Sequence, residues 1–301
     1  MPVTSSDTVT SSIVPVVVPA AKSSDSASHQ RSNQPATRPL PPLPRLDRCL
    51  VWGVPFDCVT MGETIDRIEA LIERRVPSYV ITANLNYVML QDQEADVPQL
   101  TDDADLILAD GQPIVWRSKL GQSPLPERVA GSQMIYEMAQ RGSQKGWRFY
   151  FLGGEEGVAE KCAKKLLRNH PGIEIAGIES PPFRKLTQQE QAVQDERIRS
   201  SNADILLVAF GQPKGERWIH EHYRRLGVPV SIQLGASFDF VAGTAKRAPV
   251  IWQRVGMEWL YRMLSDPKRL VPRYAANAWF LIKALVRDWR DTVKRWGMGL
   301  D

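Results

Sequence analysis

Between residues 79 and 235 short apolar runs alternate six times with amphipathic stretches, and this alternation constrains the fold more than any other feature of the chain. The runs are YVIT at 79–82, ADLILA at 104–109, RFYFLG at 148–153, IEIAGI at 173–178, DILLVAF at 204–210 and VSIQLG at 230–235. Helical periodicity is read near 84–93, 113–120, 132–144, 155–169, 187–200 and 215–226. A strand that is apolar throughout, rather than at every second residue, is buried on both faces. Such strands separated by helices predict an α/β protein with a mostly parallel sheet and helices on both faces. A chain of 301 residues is long enough to bury that core.

Right-handed crossovers bring the ends of parallel strands to one edge. Thr82, Asp110, Gly153 and Gly211 each end or follow a run, so the pattern predicts that they gather there. Open α/β sheets bind ligands at that edge. Asp110, in LILADGQPIVW at 106–116, therefore has two readings. It caps the helix that follows, or it is a catalytic carboxylate. FLGGEEG at 151–157 is a glycine turn able to cradle phosphate, or a tight turn with acids matching the helix dipole. In FGQPKGERWI at 210–219, Gln212 and Lys214 suit a uracil edge or a phosphate oxygen, or simply close a turn. The DxD within DDAD at 102–105 precedes its strand, which predicts a solvated loop at the opposite edge.

The two ends differ from the middle. Residues 1–46, rich in Ser, Thr, Pro and Ala, are expected to form a disordered tail. Residues 245–301 carry twelve Lys and Arg against five Asp and Glu, while the whole chain is at +4. Five of the nine tryptophans lie there, interleaved with arginines. A basic, Trp-rich helical segment suits an anionic membrane surface, or a solvated face on a hairpin packed against the core. No nucleic-acid motif accompanies it, so nucleic acid is not an expected partner. No apolar run reaches the roughly 20 residues of a membrane span. Three unpaired cysteines and four scattered histidines argue for a reducing compartment and against a metal site.

Six blocks, TANLNYV, LILADGQPIVW, ERVAGSQMI, FLGGEEGVAEKCAKKL, FGQPKGERWI and the long GASFDFVAGTAKRAPVIWQRVGMEWLYRMLSDPKRLVPRY, resemble in order and spacing the WecG/TagA/CpsF glycosyltransferases. The resemblance spans about residues 50–290. It implies a Rossmann-like catalytic core, here 47–244, and a C-terminal helical appendage, here 245–301, that meets the membrane and helps close the site. It implies an inverting, metal-independent transfer from a UDP-sugar to an undecaprenyl-diphosphate-linked saccharide, with N-acetylmannosamine or another hexose derivative as the sugar. No cofactor is implied, since the UDP-sugar is a co-substrate. Asp110 matches the catalytic base, Thr82, Asn84, Arg128 and Gln212 the pocket, and Arg262, Arg269 and Arg273 the appendage arginines that approach the diphosphates. Ser132 stands where many members have Asp, and Gly215 where many have Gln.

The residues suit that chemistry independently. A carboxylate in a cleft can take the acceptor's hydroxyl proton. Without a metal, guanidinium groups must meet the charge on departing UDP. The expectation is a cytoplasmic enzyme held peripherally on the inner face of the cell membrane. Its alternatives are a nucleotide-sugar oxidoreductase, although GxGxxG is missing after the first strand, and a nonenzymatic membrane-binding scaffold.

Overall fold

The computed structural model describes residues 43–245, 249, 252, 258–265 and 267–298, without the side chains of 258, 259, 262, 265, 269 and 295–298. The folded part opens with a hairpin, β1 (Arg48–Val51) and β2 (Val54–Asp57), paired antiparallel. Its two-residue turn has positive φ at both Trp52 and Gly53, which matches the twist of the flanking strands. Helix α1 (Met61–Arg74) follows, started by a reciprocal capping box between Thr60 and Glu63.

The sheet consists of β3 (Ser78–Ala83), β4 (Leu106–Ala109), β5 (Arg148–Gly153), β6 (Glu174–Glu179), β7 (Ile205–Ala209) and β8 (Val230–Gln233). Their spatial order is β4–β3–β8–β7–β5–β6, and every neighbouring pair is parallel. All six expected strands are present, within about two residues of their expected ends. Alternate residues feed two separate cores, which is why the runs are apolar throughout. Tyr79, Ile81, Leu206 and Val208 face one core. It is filled by α2 (Leu85–Gln93), α3 (Val97–Asp102), α4 (Gln112–Ser118), α7 (Gln188–Ser200) and α8 (Lys214–Leu226). Val80, Ile205 and Leu207 face the other, filled by α1, α5 (Gly131–Lys145), α6 (Val158–Asn169) and α9 (Ser237–Ala242). The hairpin, α1, α3 and α9 were not expected from the sequence.

The hairpin covers the exposed edge of β4. Asp57 Oδ2 accepts from Ile107 N at 2.7 Å and Oδ1 from Arg48 Nε at 2.8 Å. An edge N–H that would otherwise seek another strand is thereby occupied. Leu43 and Leu46, inside the segment expected to be tail, pack against the α1 side of the core. The expected disorder of residues 1–42 lies outside the described residues.

Among the described residues the last helices are α10 (Glu258–Ser265) and the 32-residue α11 (Pro267–Met298). Phe280 and Ala284 of α11 are buried beside α2. Asp288 clasps the helix to the body. Arg117 grips its carboxylate through Nε to Oδ2 at 2.7 Å and Nη2 to Oδ1 at 3.0 Å, and Trp52 Nε1 adds 2.9 Å. The Phe280 ring meets Trp52 edge-on, with centroids 6.3 Å apart. Replacing Asp288 by Ala strands an arginine and an indole N–H, each at a cost of about 1–3 kcal/mol. Asp288→Ala should therefore lower the denaturation midpoint and make α11 the first site of limited proteolysis. An unchanged midpoint and cleavage pattern would mean that Phe280 and Ala284 seat the helix unaided.

Candidate active site

The parallel sheet brings the ends of β3, β4, β5 and β7 to one edge, and with them Thr82, Asn84, Asp110, Gly153 and Gln212. Asp110 extends the β3–β4 pairing by one bond, its N–H donating to Ala83 O at 2.9 Å. Its carboxylate does cap a helix, but not the one that follows it. Helix α4 starts from Gly111 with no side-chain cap. Asp110 Oδ2 instead accepts from Gly131 N, the first residue of α5, at 3.2 Å. A carboxylate there is complementary to the positive end of a helix dipole.

The fit around Gly131 is close. A Cβ at that position would stand 3.2 Å from Leu234 Cδ2, 3.4 Å from Ser237 Oγ and 3.6 Å from Thr82 Cγ2. The start of α5 is thus wedged against the ends of β3 and β8. Ser132, the next residue, is buried. Just upstream, Val129 N donates to Ala109 O at 3.0 Å, which draws half-buried Arg128 alongside the end of β4.

Three expected pocket residues prove to be wired into the scaffold. Thr82 Oγ1, buried, donates to Gln233 O at 2.8 Å and ties β3 to β8. Asn84 Oδ1 caps α2, accepting from Asn86 N at 2.9 Å and Tyr87 N at 3.3 Å. Gln212 Nε2 donates to Thr82 O at 3.2 Å, so the turn after β7 reaches across to β3. Lys214 is exposed on the first turn of α8. Arg273, on α11, is exposed, and its charge reaches the core of the site at Glu216. The side chains of Arg262 and Arg269 lie outside the described residues.

Glu216 and Gln233 were missed. An acid in the first turn of a helix ordinarily matches the dipole in solvent. Yet Glu216 lies on one stripe with Ile219, Tyr223 and Leu226, the buried face of α8. That spacing was the available signal. Glu216 is 1 % exposed, and neither carboxylate oxygen has a hydrogen bond of ordinary geometry. Burial pushes its carboxyl up to about 7, against the opposing pull of the Gln212 and Gln233 amides and the Arg273 charge.

The glycine turn FLGGEEG lies at the same edge, with positive φ at Gly153, Gly154 and Gly157. Phe210 leaves no room for a side chain at Gly153, where a Cβ would fall 2.8 Å from its ring. The DxD residues are engaged at the opposite edge, rather than simply solvated. Asp103 Oδ2 lies 2.8 Å from His220 Nε2, and Asp105 Oδ2 accepts from Tyr79 N at 3.1 Å. Among the described residues no group of three or more His, Cys, Asp and Glu side chains is arranged to hold a metal.

Residues 49–294 match the family model described as "Glycosyl transferase WecG/TagA/CpsF family". The chain belongs to that family. It is 32% identical to an N-acetylglucosaminyldiphosphoundecaprenol N-acetyl-beta-D-mannosaminyltransferase of Bacillus spizizenii (strain ATCC 23059 / NRRL B-14472 / W23), over 67% of this chain and 79% of the relative. A relative of the same name from Bacillus subtilis (strain 168) is 28% identical over 75% of this chain and 88% of its own length. Membership in a glycosyltransferase family sets aside the oxidoreductase and scaffold alternatives.

The buried acid of the site makes stability depend on pH. Glu216 holds its proton to about 7 when folded, against an ordinary value of 4.5. The folded state thus binds the extra proton between those values. This contribution is full below about pH 4.5 and is lost as pH rises through about 7. The loss is about 3.5 kcal/mol at most, at about 1.4 kcal/mol per pKa unit. Glu216→Gln should remove that loss, so its melting temperature should fall less than the wild type's between pH 5 and pH 8. Parallel curves would show that Glu216 does not titrate in this range.

Proposed function

We propose that this family member moves a hexose derivative, N-acetylmannosamine first among the candidates, from a UDP-sugar to an undecaprenyl-diphosphate-linked saccharide. The anomeric carbon is inverted and no divalent metal takes part. The observation that carries this reading is the Asp110 carboxylate at the carboxyl edge of the sheet, braced by the first N–H of α5. The sugar and acceptor class rest on the names of the two Bacillus relatives.

In this reading the acceptor hydroxyl gives its proton to Asp110 while its oxygen attacks the anomeric carbon. The bond from that carbon to the UDP oxygen breaks on the opposite face, and UDP leaves with the electron pair. This reading assigns the charge on UDP or on the acceptor's diphosphate to Arg128, Lys214, Arg262, Arg269 and Arg273. The engaged state of Asp103 and Asp105, at the far edge, supports a route without metal.

Asp110→Asn separates the two roles of the side chain. The amide oxygen still accepts from Gly131, so the fold and UDP binding should survive. Turnover should fall about 10²-fold or more, the usual scale of general-base catalysis. The assay, with UDP-N-acetylmannosamine and a lipid-diphosphate-sugar acceptor, is run in excess chelator. Undiminished turnover in Asp110→Asn would leave Asp110 a helix cap only, and a wild type rescued only by added magnesium or manganese would overturn the metal-free route.

The same reading holds the enzyme peripherally against the anionic inner face of the cell membrane. Among the described residues no helix is long and apolar enough to cross a membrane. On α11 the residues Trp279, Ile282, Val286, Trp289 and Val293 are exposed and recur at spacings of three and four, a single stripe. That stripe is roughly opposite Phe280 and Ala284 at about 100° per residue. Exposed Lys283, Arg287, Arg290 and Lys294 flank it. A groove of about 310 Å³ between α2 and α11 continues this surface, with Met89 and Phe280 as its apolar lining and Asp92, Lys283 and Arg287 as its charged lining. Trp279→Ala with Trp289→Ala should reduce co-sedimentation with anionic vesicles several-fold, and wild-type binding should weaken in high salt as each cation's roughly 1 kcal/mol is screened. Equal sedimentation of variant and wild type would move the contact elsewhere.

A further inference from the structure

The polar floor of the site contains three buried oxygens with no hydrogen bond of ordinary geometry: both carboxylate oxygens of Glu216 and Oε1 of Gln212. Oxygens left so in the core are costly to the fold. A proton on Glu216 resolves two of them, since a neutral acid is a donor and Gln212 Oε1 is an acceptor in want of one. Gln212 lies in the turn ahead of α8, four residues before Glu216, and its amide favours the ionised Glu216 carboxyl. On its other side Gln212 reaches β3, its Nε2 donating to Thr82 O at 3.2 Å.

Gln233 closes the cluster. Its Oε1 accepts from Gly235 N at 2.5 Å, and its side chain lies against the first turn of α8. A Cβ at Gly215 would stand only 2.6 Å from Gln233 Cγ, so the glycine is what lets the amide in. The other groups acting on the carboxyl come from two further helices. Arg273 of α11 favours its ionised form. The Tyr87 phenol of α2, bonded to Thr101 Oγ1 at 2.9 Å, lies near enough that the two ionisations oppose each other.

We propose that Glu216 is a positioning residue of the transfer site, whose proton decides which way the Gln212 amide is held. Neutral Glu216 donates to Gln212 Oε1 and leaves Nε2 on Thr82 O, so the turn after β7 is pinned to β3 beside Asp110. Ionised Glu216 can only accept. It takes up the Nε2 hydrogen of Gln212 that Thr82 does not hold and pulls the amide toward α8, which weakens the tie of the β7 turn across the sheet edge. Gln212 then presents a different face to the donor. The effect on the donor rests on the reading given above, while the orientation of Gln212 does not.

The test uses the full chain and needs no substrate for its first arm. The side-chain amide resonance of Gln212, assigned by its loss in Gln212→Ala, is followed by NMR from pH 5.5 to pH 8.5. It should shift along a single titration curve in the wild type and stay fixed in Glu216→Gln, which keeps a donor and an acceptor at every pH. A wild-type resonance that does not move, or one that moves equally in Glu216→Gln, overturns the proposal. The second arm measures UDP affinity by calorimetry over the same range. Wild-type affinity should weaken about threefold or more relative to Glu216→Gln as pH rises, a change of about 0.6 kcal/mol. Identical pH slopes would sever Gln212 from donor binding. Absence of UDP binding at every pH would instead sink the UDP-sugar reading, with the Gln212 resonance still deciding the role of Glu216.

Discussion

The site depends on the insertion of one strand. Strands β3 and β4 come from residues 78–109 and strands β5, β6 and β7 from residues 148–209, and the two groups meet only through β8. In register, Val230 faces Ser78 on one side and Ile205 on the other. Thr82, Asn84 and Asp110 belong to the first group and Gln212 and Glu216 to the second. The bonds that join them, Thr82 Oγ1 to Gln233 O and Gln212 Nε2 to Thr82 O, exist only once β8 is in place. Parallel pairings of such sequence separation are slow to form because loop closure comes before the contacts that reward it. Completion of the sheet and completion of the site are therefore the same event.

Much of this was legible in the chain. Strands buried on both faces leave an unbroken apolar signature, and all six central strands were found from it. Their edge assignment follows from topology alone, so Thr82, Asp110 and Gln212 could be grouped without coordinates. The hairpin was not legible, since RCLVWGVPFD is two four-residue strands with Pro55 inside one of them, joined by a turn whose first residue, Trp52, is not one that favours positive φ. Short α3 and α9 offer too few residues for a period to register. Glu216 was hidden by its chemistry. Its position in the helical stripe is that of a core residue, but its identity is that of a surface one.

Asp110 shows why capping and catalysis are not exclusive readings. A carboxylate braced on Gly131 N is held in place by the same bond that caps α5. The helix it caps begins 21 residues later, so no local rule about helix starts could have found the contact. Gly131 is what permits it, because a side chain there would press on Leu234, Ser237 and Thr82 together. The same glycine thus serves packing at β8 and the seating of the carboxylate.

The C-terminal helix shows the limit of reading an amphipathic pattern without its partner. Trp279, Phe280, Leu281, Ile282 and Leu285 look from the sequence like one apolar surface for lipid. The structure divides them: Phe280 is 6 % exposed and belongs to the core, while Trp279 at 61 % and Ile282 at 54 % face outward. The dividing agent is Asp288, whose carboxylate fixes the rotation of α11 by holding Arg117 and Trp52 on one side. With rotation fixed, the apolar residues that remain outside fall on the side away from the body, next to a row of lysines and arginines. A single acid in a basic helix therefore determines which of its two apolar faces is packing and which is free. Arg273 lies near the start of the same helix, and Glu216 is within reach of its charge. The seating of α11 thus sets how near that charge stands to the floor of the site.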